Sequence, residues 1–437
     1  MKEKVKEIIA IRHARIPIIN SVIKNYENLQ DVLSQYEVLK SKMVDDNGNV
    51  IAGPYELQLK KRPDMLQRLI KTSSNELATK ISKQKERLIR IKKRFEREEI
   101  SIQVYGNAGN GKSTFIQSVA KLKDNVIPTT ALEEHCTGAS SYIRNSPNFS
   151  ASVYFYTEGE LLEFFNKGLR EVILKNLKRA PNEEELLKSF DEIEHFNPTN
   201  YKSSIKENEK TIERELSDNS KNIKSLIDLR DHFALIKSLV NDDERGKTVI
   251  DGDGKKRKVL SLDDDSKVME FVAQHNGMPL GPQHKKFYKY LAVHHVIINT
   301  EFAYPDAGSI MLMDNVGFGD TAKDAAIRNK MFQDIADNSD AVIVLTSPVA
   351  GGQNREKKDS LFDLLDDMRE DDCGAERVNS KALFVIINQR KTGNINGQAC
   401  ESLREEIINK REETPLVVEA INPEAVTQDA IKPILIQ

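Results

Sequence analysis

One nine-residue run, GNAGNGKST at Gly106–Thr114, constrains the fold of this chain more than any other feature. Four residues separate Gly106 from the pair Gly111-Lys112, and Ser113 follows, which is the spacing of a phosphate-binding P-loop. The glycines let backbone amides close around a phosphate, and the helix that begins here directs its positive end towards the anion. A short apolar run, SIQVY, precedes the loop, and an apolar helical pattern follows it. The run therefore predicts a strand, a P-loop and a helix that together bind a purine nucleoside triphosphate with magnesium.

Within the loop, Lys112 is expected to reach the β- and γ-phosphates and the Ser113 hydroxyl to hold Mg²⁺. The residues expected to line the phosphates are Gly106, Asn107, Ala108, Gly109, Asn110, Gly111, Lys112, Ser113 and Thr114.

A second element is the run MLMDNVGFGD. A hydrophobic strand would deliver Asp314 to the edge of a sheet, where its carboxylate can hold Mg²⁺ through water. Gly317, three residues later, can donate its amide to the γ-phosphate. ATPases of the AAA and recombinase classes more often end this strand in paired acids, but here Asn315 follows Asp314. This order favours GTP, and an ATP-using NTPase remains an alternative.

A third element should be a threonine between the P-loop helix and the next strand, with a hydroxyl on Mg²⁺ and a carbonyl that orients the attacking water. The segment IPTTALEEHCTGASSY offers Thr129, Thr130 and Thr137. Thr137 is favoured because small residues and an extended segment follow it, whereas an ordinary Thr-rich surface loop is the alternative. The expected catalytic residues are then Lys112, Thr137 and Gly317, and the expected metal ligands are Ser113, Thr137 and Asp314.

The pattern around these motifs predicts an α/β domain over residues 100–437. Further apolar runs typical of strands lie near 151–157, 293–302, 309–314, 341–346, 382–388 and 415–420, and helical patterns lie around 322–337, 353–370 and 397–411. Strands that alternate with helices favour a mostly parallel sheet covered by helices, of the P-loop GTPase type.

A Lys/Glu-rich insertion is expected to interrupt this domain at about 158–292. It is predicted to be helical at 158–180 and 203–240 and to form a hairpin at TVIDGDGKKRKVL, where Asp-Gly pairs favour a turn. A disordered tether is the alternative.

Residues 1–99 are predicted to form a helical hairpin of two long antiparallel helices. Its first helix carries apolar residues at spacings of three and four, namely Ile19, Val22, Tyr26, Leu29, Leu33, Tyr36 and Leu39. The second helix is rich in Lys and Arg. We interpret this as a solvated face, and contact with anionic lipid or nucleic acid is the alternative.

The overall charge does not favour a nucleic-acid partner, because 65 basic residues nearly balance 68 acidic ones for a net charge of −3. The three cysteines form no CxxC pair and are expected to be reduced thiols. Since no signal peptide or membrane-spanning run is apparent, we expect a cytoplasmic protein, with a membrane surface as a further partner to consider.

Taken together, the P-loop, CTGAS and DNVGFGD resemble the dynamin-like branch of the P-loop GTPases. The stretch FVAQHNG, followed by VHHVIINTEFAYPDAGSIMLMDNVGFGD, is similar to bacterial dynamin-like proteins in particular. The resemblance covers roughly residues 100–425. It implies a fold that hydrolyses GTP to drive a conformational switch or self-assembly, a neck- or stalk-like N-terminal hairpin, and a homodimer through the GTPase domain or a partner protein.

Two departures bear on turnover. Dynamins place a polar Gln-Ser pair inside the loop, where this chain has Ala108 and Gly109. Phe318 stands after Gly317, where small regulatory GTPases carry a catalytic Gln. Intrinsic hydrolysis is therefore expected to be slow, and a nucleotide-gated scaffold with little hydrolysis is the rival interpretation.

The base-reading motif is degenerate. In ALFVIINQRKTG, Asn388 fits the first position of the usual (N/T)KxD, but Gln389 replaces Lys and Lys391 replaces Asp. A lysine cannot accept hydrogen bonds from guanine. The run PLVVEAINP resembles the last base-contacting loop, so the backbone of Ala420 is expected to contact the purine.

Overall fold

The computed structural model describes residues 2–45, 47–51, 53–54, 56–64, 67–68, 74–106, 111–120, 122, 126–127, 137–177, 179–197, 225–241, 246–251, 254–276, 285–302, 307–314, 338–346, 383–389, 404–405, 408–409 and 416–419. The chain divides into a unit over Glu3–Ile100 and a larger one that begins at Ser101. No helix in the described ranges is both long and apolar enough to cross a membrane.

The N-terminal unit contains helices α1 (Lys2–Met43), α2 (Glu56–Lys61) and α3 (Ser74–Phe95). The side-chain amide of Gln30 donates to Ser82 Oγ at 2.9 Å, and the Arg12 guanidinium lies 6.0 Å from the centre of the Phe95 ring. From Arg12 to Gln30 the position on α1 moves forward, while the partner on α3 moves back from Phe95 to Ser82, so the two helices run in opposite directions.

The apolar stripe predicted on α1 is wrong in part. Val22, Leu29 and Leu39 are exposed by 37%, 40% and 46%. The face of α1 that contacts α3 instead passes through Gln30, one position along from Leu29. Polar hydrogen bonds carry part of this contact, which is why apolar periodicity alone misplaces the face.

The larger unit is built on one sheet. Among the described residues its order is β12-β11-β10-β1-β9-β2-β8-β3-β5-β4. The strands are β1 (Ile100–Tyr105), β2 (Ser140–Asn145), β3 (Ser150–Phe155), β4 (Lys247–Ile250), β5 (Lys256–Leu262), β8 (Val293–Thr300), β9 (Ile310–Asp314), β10 (Ala341–Thr346), β11 (Leu383–Gln389) and β12 (Leu416–Glu419), and a separate two-stranded ribbon joins β6 (His275–Asn276) to β7 (Lys285–Lys286).

The α/β class is confirmed, but the sheet is mixed rather than mostly parallel. The pairs β1–β10, β10–β11, β11–β12 and β2–β8 are parallel. The pairs β2–β9, β3–β8, β3–β5 and β4–β5 are antiparallel. The antiparallel pairs belong to the β2–β5 half, where hairpins and the insertion replace the strand–helix alternation that predicts parallel pairing.

The helices of this unit cover the sheet and build the insertion. They are α4 (Lys112–Ala120), α5 (Glu158–Leu177), α6 (Phe233–Asn241) and the short α7 (Met269–Val272), with short 3₁₀ turns at Glu183–Glu185, Phe190–His195, Asp265–Lys267 and Lys289–Ala292. The helices expected at 322–337 and 353–370 lie outside the described residues. Of the range 397–411, the described residues 404–405 and 408–409 are helical.

The insertion has its own core, which contradicts a disordered tether for its described part. Phe165, Leu226 and Phe233 are exposed by 2% or less. The Phe165 and Phe196 rings meet edge to face at 5.0 Å, and a Cβ added to Gly168 would lie 3.0 Å from Leu226. Burial of several large apolar side chains stabilises such a layer by about 2 kcal/mol each.

The predicted hairpin at 248–260 is confirmed, since β4 and β5 pair directly. Arg257 of β5 is 1% exposed and forms ion pairs with Asp251 at the turn and with Glu160 of α5. Lys255 Nζ adds a 2.6 Å contact to Glu160. Burial alone would raise the pKa of Glu160, but the hydrogen bonds from Arg257 and Lys255 outweigh it and hold that pKa below its usual range. The cluster fixes the hairpin against α5.

Candidate functional site

The loop that follows β1 is shaped by two glycines. Gly106 has φ 147° and Gly111 has φ 89°, conformations that L side chains rarely adopt. A Cβ added to Gly106 would lie 2.3 Å from the Leu345 carbonyl oxygen of β10. Only glycine therefore allows the chain to leave β1 here and enter α4 at Lys112.

Ser113, in the first turn of α4, lies at the centre of a polar cluster. Its Oγ donates to Asp314 Oδ2 at 2.8 Å and lies 3.2 Å from Thr137 Oγ1. Lys112 Nζ donates to the Gly106 carbonyl at 3.0 Å. Thr137 and Asp314 thus meet at the Ser113 hydroxyl, although they lie 24 and 201 positions from Ser113 in the chain.

Asp314 ends β9 and is fully buried. Its Oδ1 has no hydrogen-bond partner in the part of the chain that the structure describes. Burial raises the pKa of Asp314, and the positive charge of Lys112 and the Ser113 hydroxyl oppose that rise. A buried carboxylate with one unpaired oxygen is costly unless a cation or a water completes it.

Ser141 of β2 stands directly opposite Asp314 in the antiparallel register. Its Oγ is buried and also lacks a partner among the described residues. Cβ atoms of such opposite residues lie about 5 Å apart on the same face of the sheet, so the two oxygens without a described partner belong to neighbouring side chains.

The donor set of this cluster fits Mg²⁺. Two hydroxyls and a carboxylate are hard oxygen donors, and Mg²⁺ usually keeps several waters and takes few protein ligands. The unpaired Asp314 Oδ1 is the specific observation that calls for such a group.

Thr137 is held by a segment that the sequence does not single out as part of the site. It forms an antiparallel bridge with Ala273. The amides of Gly138 and Ala139 both donate to the Val272 carbonyl, at 2.7 and 3.2 Å, and Gln274 Nε2 donates to the Thr137 carbonyl at 3.3 Å. We call Val272–Gln274 the strap.

The base-reading positions are described only in part. Asn388 lies near the end of β11, whose carboxyl end shares an edge with those of β1 and β10. Ligands of open α/β sheets usually bind at this edge. The side chain of Asn388 lies outside the described set.

Other predicted site residues also lie outside it, and their roles stay predictions: Asn107, Ala108, Gly109, Asn110, Gly317 and Ala420. The same holds for the rejected threonines Thr129 and Thr130. Gly106, Gly111, Lys112, Ser113, Thr114, Thr137 and Asp314 are described, and the hydrogen bonds above involve all of them except Gly111 and Thr114.

Two contributors were missed at the level of sequence. Ser141 was missed because its place opposite Asp314 depends on the pairing of β2 with β9, which residue type alone does not specify. The strap gives no sequence signal either, since its pairing with Thr137 joins positions 136 residues apart through tertiary packing alone.

No protein-family model matches the sequence, and no curated protein matches it significantly. Two solved structures of an oligomerised bacterial dynamin pair, described as providing a mechanism for long-range sensing and tethering of membranes, are similar to this chain. One has 13% identity, a TM-score of 0.36, and coverage of 84% of this chain and 45% of the other. The second has 12% identity, a TM-score of 0.32, and coverage of 87% and 44%. The chain thus spans less than half the length of either.

Proposed function

We propose that this chain is a Mg²⁺-dependent P-loop nucleoside triphosphatase with GTP as its preferred substrate. The observation that carries the proposal is the meeting of Ser113, Asp314 and Thr137 at one hydroxyl, directly after the glycine-shaped loop. An ordinary strand end and an ordinary helix start have no reason to bury a carboxylate against two hydroxyls.

In this proposal the loop and α4 bind the triphosphate. Lys112, now on the Gly106 carbonyl, would turn to the β- and γ-phosphates. Ser113 and Thr137 would hold the metal directly, and Asp314 would hold it through a water beside Ser141. When bound, Mg²⁺ would neutralise charge on the β- and γ-phosphate oxygens.

Hydrolysis would then use groups on both sides of the γ-phosphate. The Thr137 carbonyl would orient the attacking water, and the Gly317 amide would donate to a γ-phosphate oxygen. Phe318 has no polar group with which to order that water, so intrinsic turnover is expected to be slow. A second copy of the chain or a partner protein would supply the missing group, which makes a homodimer through this domain part of the proposal.

GTP is preferred over ATP in this proposal because Asn315, and not a second acid, follows Asp314. Lys391 does not fit guanine recognition, so the base would be read by Asn388 and the backbone of Ala420. The outcome for the cell would be a conformational switch or self-assembly, with the N-terminal helices as a neck. Attachment to a membrane surface stays a prediction.

A nucleotide-gated scaffold is the second candidate. Ala108 and Gly109 favour it, because neither offers a polar side chain to the reacting water. The two functions share nucleotide binding and differ in turnover.

The test is the turnover of GTP and of ATP over a range of protein concentrations. The proposal expects GTP hydrolysis that rises more than linearly with protein concentration and that Lys112→Ala abolishes. Lys267→Ala, which removes an exposed lysine, is the control and should behave as wild type. Tight nucleotide binding without turnover would favour the scaffold, and no binding would contradict both.

A further inference from the structure

The hydrogen bonds described between the strap and the segment Thr137–Ala139 all go to that segment's backbone, while the Gln274 carbonyl accepts from the amide of Phe287. The Val272 carbonyl accepts from two consecutive amides, and the Gln274 side-chain amide reaches the carbonyl of Thr137 itself. Gln274 is therefore the described side chain that touches the atom proposed to orient the attacking water.

The strap is rigidly anchored. Val272 and Ala273 are fully buried, and Phe271 packs on Phe155 of β3 with ring centres 6.2 Å apart. Behind the Thr137 segment, the ring of Tyr290 packs so closely that a Cβ added to Gly138 would lie 2.5 Å from it. Both the strap and the Tyr290 ring therefore pack against the segment Thr137–Ala139.

We propose that Gln274 is a positioning residue for hydrolysis, which rests on the proposed role of Thr137. A backbone carbonyl carries two lone pairs. The Gln274 amide occupies one of them and so fixes the carbonyl plane, leaving the second lone pair to accept from the attacking water. Gln274 in this way contributes, through Thr137, part of the ordering that Phe318, Ala108 and Gly109 do not provide, and the second copy or partner protein of the proposed function supplies the rest.

The step concerned is the attack itself. The water oxygen forms a bond to the γ-phosphorus, and the bond from that phosphorus to the β–γ bridging oxygen breaks. The electron pair stays with the nucleoside diphosphate, and the water's proton is transferred to the released phosphate. A carbonyl free to rotate would hold the water in fewer productive orientations.

The experiment compares Gln274→Met and Gln274→Glu with wild type in the full chain. Met keeps the volume of glutamine without a donor, and Glu keeps its shape with an acceptor in place of the donor. Glu270→Gln is the control, because Glu270 lies on α7, which leads directly into the strap, and its carboxylate accepts a hydrogen bond from Lys289. The measurements are kcat and KM for GTP, the Kd of a non-hydrolysable GTP analogue with Mg²⁺, and the thermal midpoint.

Loss of one neutral hydrogen bond predicts a kcat lower by about 3- to 10-fold in both Gln274 variants. The analogue's Kd should stay within about twofold, because the side-chain hydrogen bond described for Gln274 goes to the Thr137 carbonyl and not to a described phosphate-binding residue. The control should match wild type. A normal kcat in both variants would overturn the inference, and so would parallel losses of kcat, affinity and thermal midpoint, which indicate a merely structural contact. An inert wild type would instead contradict the proposed function, and the inference with it.

Discussion

Replacement of Gly106 by alanine tests how the P-loop is built. At φ 147° an L residue is strained by about 1–3 kcal/mol. The new Cβ would also lie 2.3 Å from the Leu345 carbonyl oxygen, well inside any normal contact. This carbonyl belongs to the backbone of the buried strand β10, so it cannot rotate away as a side chain would.

Backbone strain and overpacking both destabilise the folded Gly106→Ala protein, and restriction of the unfolded chain partly offsets them. Overpacking of this kind adds about 1–3 kcal/mol. Alanine restricts the unfolded chain and returns about 0.4–1 kcal/mol. The free energy of unfolding should therefore fall by about 3 kcal/mol. Because the loop also starts from a displaced position, nucleotide turnover should fall by about 100-fold.

The assay is denaturant unfolding together with GTP turnover, and Gly159→Ala is the matched control. A Cβ at Gly159 meets nothing within 4 Å, and the residue lies in the first turn of α5. That substitution should raise stability by about 0.5–1 kcal/mol and leave turnover unchanged. A Gly106→Ala protein as stable and active as the Gly159→Ala protein would refute the reasoning.

Further predictions concern the proposed metal site, the packing of Tyr290 against the Thr137–Ala139 segment, and the insertion. Ser141→Ala should raise the Mg²⁺ concentration for half-maximal turnover by about 10-fold. Ser140→Ala, on the opposite face of β2, is the control and should leave that concentration unchanged. Equal magnesium titrations of the two variants would contradict a metal-bound water that contacts both Asp314 and Ser141. Gly138→Ala places a Cβ 2.5 Å from the Tyr290 ring, so kcat should fall and the hydrogen exchange of the backbone amides of residues 137–139 should become faster. Unchanged hydrogen exchange would contradict the close packing of Tyr290 against this segment. Arg257→Leu leaves two carboxylates without their buried partner and should cost about 3–5 kcal/mol by denaturant unfolding; an unchanged midpoint would show that the cluster is not structural. Because the folded-state pKa of Glu160 lies below its unfolded value of 4.5, its contribution is fully present above that value and should be lost as pH falls below about 4.5. Glu160→Gln should reduce this loss of stability at low pH. Acid unfolding of Glu160→Gln and wild type at the same pH would contradict the prediction.

The strands next to the proposed nucleotide site were readable from sequence because they are buried on both faces. β1 and β9 consist wholly of buried residues, and such strands read as short apolar runs. β2, with the sequence SSYIRN, lacks that pattern and was recognised only as an extended segment. Its position next to β9 depends on pairing, which residue type alone does not specify.

Direction and register were harder to predict than the existence of strands. A run such as SASVYF does not show whether its partner is parallel, and β3 in fact pairs antiparallel with both neighbours. The metal preference proposed for the cluster around Ser113 could be predicted from its residue types, since hydroxyl and carboxylate oxygens are both hard donors that suit Mg²⁺. The strap could not be predicted, because it acts mainly through backbone groups, which every residue possesses.

The central claim is that Ser113, Thr137 and Asp314 form a Mg²⁺-nucleotide site, and equilibrium binding tests it most directly. A non-hydrolysable GTP analogue would be titrated with Mg²⁺ and with EDTA, into wild type and into Ser113→Ala. The account predicts that Mg²⁺ tightens binding to wild type by at least about 10-fold and that Ser113→Ala loses most of this gain. Binding that ignores Mg²⁺ in wild type, or an equal gain in Ser113→Ala, would contradict it.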